Sequence, residues 1–464
     1  MMNRKQLTLL VAAAAPALAA VAAAEKSKPN VVFVLADDMG HECLGTYGST
    51  YKTPNLDRMA EVGVKFDYAY SQPLSTPSRV ELMTGRYNHK NYSRFAFMNQ
   101  DVKTFGHLAK MAGYTTTIVG KWQLGANSKL PAWFGFDSYC LWQLNYGKGD
   151  KNHPHEGERY ANPLIEQDGR ILPHNSDLYG PDLFADYVDR FIDENRDNPF
   201  FLYYPMVLVH DPFVSTPRSA DWATNMDGRF VHNTIYFPDM VAYCDMMMGR
   251  LIDKLKKEGL YDNTLIIFTG DNGTLSQITT PMQDGNAIKG GKGSATDAGT
   301  HAPLIVTYGS RQGKPFVCHD LVNFTDVMPT IAQAMGIEVP KAWDTDGVSF
   351  LPQVMGEKGT PRQWVFCHYD SFINNDAPMP NAKRWIRTHR YKLYSTGEFY
   401  DMQEDVLEKH AIPAGKGSKE AEKERTFLAS ELAKFPAWKV GDIPVKKVEY
   451  PELKCVTKKI TLED

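Results

Sequence analysis

Short runs of apolar, β-branched and aromatic residues recur along the chain, and most end at polar or acidic residues. Asn30-Val31-Val32-Phe33-Val34-Leu35-Ala36 leads into Asp37-Asp38, and Thr115-Thr116-Thr117-Ile118-Val119 into Gly120-Lys121. Phe200-Phe201-Leu202-Tyr203-Tyr204 opens a run that reaches His210, and Thr264-Leu265-Ile266-Ile267-Phe268 passes through Thr269-Gly270 to Asp271-Asn272. Pro303-Leu304-Ile305-Val306 follows. Unbroken runs of this kind, lacking an alternating polar face, predict strands buried on both sides. Between them, 53–62, 80–84 and 101–112 carry apolar positions at helical spacing. Strands alternating with helices predict an α/β fold, a large and mostly parallel sheet sandwiched by helices. Ligands of such sheets gather beyond the carboxyl ends of the strands, where the polar residues just named would stand.

The pattern changes after about residue 355. Strands are expected around 364–368, 385–394 and Phe399-Tyr400-Asp401, then a polar helix with apolar spots at Phe427, Leu428, Leu432 and Phe435. This predicts a smaller C-terminal subdomain built on an antiparallel sheet. The chain thus divides into 1–24, 25–355 and 356–464. The first segment opens Met1-Met2-Asn3-Arg4-Lys5, continues Leu- and Ala-rich and ends Val21-Ala22-Ala23-Ala24. A basic start, an apolar middle and a small-residue end predict a secretory signal peptide; a membrane anchor is the alternative, disfavoured by the alanine content and Pro16. The protein is therefore expected to be exported, periplasmic or secreted, with no stable membrane span after processing.

Composition adds little beyond ordinary globularity: 43% hydrophobic and 23% charged residues. A net charge of −4 gives no reason to expect nucleic acid or an anionic membrane surface as partner. The six cysteines, Cys43, Cys140, Cys244, Cys318, Cys367 and Cys455, are irregularly spaced without a Cys-x-x-Cys, which argues against zinc. A few buried free thiols and one bridge are the expectation.

Acidic residues at two strand ends, Asp37-Asp38 and Asp271-Asn272-Gly273, could place three carboxylates and an amide around one hard cation. All-oxygen ligation favours calcium, with magnesium second, over zinc. Taken singly, each pair also reads as a solvated turn. Pro77 suits the first turn of a helix, which would put Ser75 at a helix N-terminus, a natural seat for an oxyanion.

Ser75-Thr76-Pro77-Ser78-Arg79, with Thr84-Gly85 after four further residues, resembles the signature of type I sulfatases, (Cys or Ser)-x-Pro-Ser-Arg-x4-Thr-Gly. Gly120-Lys121-Trp122-Gln123-Leu124-Gly125 resembles that family's Gly-Lys-Trp-His-Leu-Gly, with Gln123 in place of the histidine. His210-Asp211-Pro212 resembles its His-x-Pro, and Gly290-Gly291-Lys292-Gly293-Ser294 the loop carrying a second sulfate-binding lysine, which selects Lys292 over Lys289. The resemblance runs through residues 29–355 and more faintly through Phe399-Tyr400-Asp401-Met402 and Asp405-Val406-Leu407-Glu408.

The resemblance implies an exported, bacterial arylsulfatase-like enzyme of the alkaline-phosphatase-like fold. It implies calcium held by Asp37, Asp38, Asp271, Asn272 and residue 75, and oxidation of Ser75 to Cα-formylglycine by a maturase of the anaerobic radical type. The aldehyde hydrate carries two hydroxyls on one carbon, one to attack sulfur and one to drive collapse and expel sulfate. Arg79, Lys121 and Lys292 would neutralise the ester, His210 or Lys292 would protonate the leaving alcohol, and Lys121, Gln123, His210 and Lys292 would line the substrate. An amide accepts no proton at neutral pH, so Gln123 leaves open which group serves the release step; His41, His89, His107 and His301 are the alternatives. Sulfated carbohydrate is the implied substrate. His368, Asp370, Asn374, Arg384, Trp385, Arg387 and His389 are candidates for its recognition by composition, most of them serving folding. Two other functions compete: a phosphatase or phosphodiesterase of the same superfold using unmodified Ser75, and a non-catalytic sulfoglycan-binding protein.

Overall fold

The computed structural model describes residues 28–142, 144, 159–173, 176–370, 383–437 and 444–447. The 1–24 leader, Asn374 and Cys455 lie outside them.

The central element is a ten-stranded sheet. Its strands in chain order are β1 (Asn30–Ala36), β2 (Val64–Tyr70), β3 (Thr115–Lys121), β4 (Ser138–Trp142), β5 (Ile165–Gln167), β6 (Arg170–Ile171), β7 (Phe200–Pro205), β8 (Thr264–Gly270), β11 (His301–Thr307) and β12 (Phe316–Asn323), with β9 (Thr279–Pro281) and β10 (Ala287–Lys289) forming a separate hairpin. The spatial order is β12-β2-β11-β8-β1-β7-β3-β4-β5-β6. The central β8-β1-β7-β3 run is parallel throughout, and β11 runs antiparallel to both of its neighbours. The five strands expected from apolar runs all form. Those unannounced, β2, β4, β5, β6 and β12, are shorter or less uniform in sequence: β5 and β6 span three and two residues, β2 alternates Lys65 and Asp67 with buried residues, and β12 begins with exposed Phe316 and Val317 on the outermost strand.

Why the central strands read as continuous hydrophobic runs is visible in β1. Val31, Phe33 and Leu35 face one layer, where they meet Val80, Leu82 and Met83 of helix Ser75–Thr84, Phe105 and Leu108 of helix Phe105–Met111, and Met328 and Ile331 of helix Val327–Ala334. Val32, Val34 and Ala36 face the other, against helices Pro54–Val62, Gly180–Asn195 and Phe237–Lys257. Two cores share one sheet. The helix expected over 101–112 starts only at Phe105, because Thr104 caps it in a reciprocal pair with His107.

A four-stranded antiparallel sheet follows: β13 (Val365–Tyr369), β14 (Lys383–Arg387), β15 (Tyr391–Tyr394) and β16 (Phe399–Asp401). The single strand expected over 385–394 is in fact β14 and β15, folded back where the Thr388 backbone N–H donates to the Tyr391 carbonyl (2.9 Å). One face packs on helix Lys419–Leu432 through Ile386, Leu393 and Leu428. The other packs Val365, Cys367 and Trp385 against Tyr70 and Leu321 of the large sheet. The two sheets are also joined by a buried ion pair, Arg387 to Asp297 at 2.6 Å, with the guanidinium over the Tyr70 ring. Arg387→Ala is expected to cost about 3 kcal/mol, since it leaves a buried carboxylate short of a partner; chemical denaturation checks it. The five described cysteines are all free and buried, so the expected bridge is absent among the described residues. Among the same residues no helix is long and apolar enough to cross a membrane.

Candidate active site

The carboxyl ends of four adjacent strands, β8, β1, β7 and β3, deliver the polar residues to one place. Asp37 and Asp38 follow β1 and are both buried, Asp38 in the left-handed region at φ 58°. Asp and Asn adopt that region at lower cost than most residues, and strain there is characteristic of functional sites. Asp271 and Asn272 follow β8; Asp271 accepts from the Asp38 backbone N–H at 3.0 Å, and Asn272 Nδ2 donates to Asp38 Oδ1 at 2.9 Å. Lys121 ends β3. It is preceded by Gly120 at φ 120°, where a Cβ would sit 2.0 Å from the Pro205 carbonyl at the end of β7. The close passage of β3 over β7 requires glycine at this point.

Ser75 begins helix Ser75–Thr84, all ten residues of which are buried. Its hydroxyl lies 3.1 Å from Asp37 Oδ1 and 3.2 Å from Asn272 Oδ1, and accepts from Lys121 Nζ at 3.2 Å. Lys121 Nζ also donates to both Asp37 oxygens at 2.8 Å. Arg79, one turn along the helix, reaches Asp271 at 3.0 Å and lies 3.8 Å from Asp37. Lys292 donates to Asp38 Oδ2 and stands 3.0 Å from His210 Nε2, while Lys289 is exposed in the β9-β10 hairpin. His210 Nδ1 is fixed by the carbonyl and carboxylate of Asp211, at 2.7 and 3.0 Å.

Electrostatics binds these groups into one unit. Burial opposes ionisation of Asp37, yet Lys121, His210, Arg79 and Arg159 together outweigh it and hold that carboxyl well below its usual range. Asp271 goes the other way, pushed up to about 7 by burial and then by the charge of Asp37, against the pull of Arg79 and Lys121. Burial brings Lys121 down to about 8 despite Asp37. Burial also lowers Lys292, but Asp38 and Asp37 outweigh it and raise the ammonium above its ordinary value. Burial and then Arg159 lower His210, against Asp38 and Asp37.

A cation fits this arrangement. Asp37, Asp38, Asp271 and Asn272 converge as oxygen donors, the preference of a hard divalent ion, and burial followed by the neighbouring Asp37 charge keeps Asp271 raised. Asp37, Asp38 and His210 also offer ligand atoms within 4.8 Å of one another, but His210 Nε2 already faces Lys292.

Every residue predicted for the site except Gln123 makes a direct contact within this cluster. Gln123 follows Lys121 at φ 52°, buried, with Oε1 unpartnered. The four alternative histidines are engaged elsewhere. His107 caps its helix, His301 bonds Asp297 and the Asp67 carbonyl while stacking on His41, and His89 packs among Phe366, Phe435 and His368. Of the residues suggested for sugar recognition, Trp385 is wholly buried and cannot stack on a ligand, Arg387 is spent on Asp297, and His368 accepts from Arg384 at 2.6 Å. Arg159 was missed: its guanidinium lies 3.4 Å from Asp37 and 4.1 Å above the Trp142 ring. An isolated arginine among polar neighbours carries no sequence signal for such a position.

Residues 29–337 match the sulfatase family, and residues 292–434 match the C-terminal region of N-sulphoglucosamine sulphohydrolase. The N-acetylgalactosamine-6-sulfatase of Rattus norvegicus is 29% identical over 82% of this chain and 76% of its own. Arylsulfatase A of Homo sapiens is 29% identical over 88% of this chain and 82% of its own. Among solved structures, Ps i-CgsB in complex with k-i-k-neocarrahexaose superposes with a TM-score of 0.70 at 27% identity, covering 88% of this chain and 92% of that one. A phosphonate monoester hydrolase of Agrobacterium radiobacter shares the fold at a TM-score of 0.64 and 19% identity, over 87% of this chain and 95% of that one.

Proposed function

The chain belongs to the sulfatase family and is a sulfuric ester hydrolase, and from that premise we propose that it desulfates carbohydrate with residue 75, matured to formylglycine, as nucleophile and calcium as the site's cation. Its fold is alkaline-phosphatase-like. The observation that carries the reading is the seat of Ser75: a helix N-terminus whose side-chain oxygen lies within 3.2 Å of Asp37, Asn272 and Lys121.

Asp37, Asp38, Asp271 and Asn272 would hold calcium, with residue 75 as a further ligand; the ion would supply positive charge to the ester oxygens. Formylglycine, when present, supplies a geminal pair of hydroxyls. The chain's own side chains do the rest. Arg79 fixes Asp271 from within the core. Lys121 holds a proton at the residue 75 oxygen and offers its ammonium to a sulfate oxygen. Lys292 and His210 stand together on the opposite side, placed to bind sulfate and to donate a proton to the departing alcohol. Preorganised charge of this kind accounts for most of the rate gain at such sites. Gln123 offers an amide to the substrate.

Carbohydrate is favoured because relatives named for N-acetylgalactosamine 6-sulfate, and a solved neighbour carrying a bound hexaose, align over most of the chain. We place the catalytic domain at 25–355 and the C-terminal subdomain at 356–464, with residues 1–24 directing export to the periplasm or beyond, and an anaerobic radical maturase as the partner that oxidises Ser75.

Mass spectrometry of the Ser75 peptide from the native host is expected to show loss of two hydrogens, with turnover of an aryl sulfate and little of the matched phosphate. Intact serine together with faster phosphate cleavage would instead establish the phosphatase, and intact serine with no turnover the binding protein.

A further inference from the structure

Among the described residues of the cluster, Arg159 is a cation that the proposed reaction leaves without work. Asp37 does not need it. That carboxylate already receives Lys121 on both oxygens at 2.8 Å and the Ser75 hydroxyl at 3.1 Å, whereas Arg159 NH1 stands at 3.4 Å. Charge-assisted N–H···O bonds settle at about 2.7–2.9 Å, so this contact is a loose one. Nor is Arg159 sealed in. Its side chain is 10% exposed, close to Lys292 at 14% and His210 at 16%, while Arg79 and Lys121 are at 1%. The inner cations serve the carboxylates, and the outer ones keep some contact with solvent.

Its geometry is nevertheless fixed. The guanidinium carbon sits over the Trp142 ring at 4.1 Å from its centroid, which restrains the group while its N–H donors remain available to an oxyanion. The backbone is pinned where the Gly180 N–H meets the Tyr160 carbonyl at 2.8 Å, and a Cβ at Gly180 would sit 2.1 Å from the Arg159 carbonyl. The Tyr160 hydroxyl donates to the carbonyls of Val207 and His210, at 2.9 and 2.6 Å, so Arg159 is carried on the same support as His210, on the side where the alcohol departs. Among the described residues of the cluster, the carboxylates of Asp37, Asp38, Asp271 and Asp211 stand among four fixed cations, Arg79, Lys121, Lys292 and Arg159. A cation only loosely engaged by its carboxylate, and fixed in place beside His210, is suited to an anion arriving with the substrate.

We propose that Arg159 binds a second oxyanion of the substrate, beside the scissile sulfate, and so selects sugars that carry another sulfate or a carboxylate near the ester. This rests on the sulfatase reading above. The test measures binding by calorimetry in the Ser75→Ala protein. Its ligands are the tightest-binding monosulfated sugar of a defined panel, the same sugar with a second sulfate, and the same sugar linked to a uronate. One of the doubly charged ligands should bind more tightly than the monosulfated sugar, and which one does so identifies the second group. Adding Arg159→Gln should weaken that ligand roughly 10- to 100-fold, the range of a charged hydrogen bond, and the monosulfated sugar by less than about threefold. Arg159→Lys should recover part of the loss, and thermal midpoints should stay together. Equal weakening of all three ligands, no weakening, or no preference for a second charge each overturns the assignment. Binding needs no turnover, so absence of desulfation by the unsubstituted enzyme counts against the sulfatase reading alone.

Discussion

Ser75→Ala is expected to reduce sulfate-ester hydrolysis to background, a loss on the order of 10⁴- to 10⁶-fold, as when a nucleophile is removed from a concerted site. The effect should be chemical rather than structural. Alanine suits a helix, and the substitution removes one hydroxyl whose bonds to Asp37 and Asn272 contribute on the order of 1 kcal/mol. Initial rates on an aryl sulfate, paired with a thermal melt, check both halves. A variant that keeps more than a tenth of the rate would move the nucleophile elsewhere.

Removing divalent cations with a chelator should bring the second largest loss, and calcium should restore what is lost. With Asp37, Asp38 and Asp271 buried within one cluster, the protein stores repulsion that an ion relieves. A ligand at a hundred times its dissociation constant stabilises by about 2.7 kcal/mol, so the melting midpoint should rise a few degrees with calcium. Ser75→Ala should keep most of that response, because four oxygen donors remain, while staying inactive. Identical melts in chelator and in calcium would sink the calcium proposal without touching the nucleophile.

The central strands were legible because each is buried on both faces, and a doubly buried strand has no room for polar alternation: Val31 to Leu35 could hardly be anything else. β2 and β12 were not, since Lys65, Asp67 and the exposed start of β12 dilute the pattern near the edge of the sheet. The hairpin of β14 and β15 was read as one strand because its turn, Thr388-His389-Arg390, contains neither glycine nor proline. At the site, residues adjacent to strand ends could be named from sequence because a strand end is a position in space. Arg159 could not, since its place depends on Trp142 and on Tyr160 reaching the His210 loop, contacts far apart in the chain. The recognition residues suggested by composition failed for a related reason: arginine and tryptophan serve a buried seam as readily as a ligand, and Trp385 and Arg387 were used for the seam.

Helix Ser75–Thr84 lies wholly within the protein, which makes the reactive group part of the same cooperative unit as the core. Natural variation there is constrained twice, by chemistry and by foldability, whereas the rim answers to neither so strictly. New specificities should therefore arise by exchange of peripheral residues such as Arg159 around an unchanged engine, and directed evolution toward another sugar would do best to leave the interior alone and diversify the mouth.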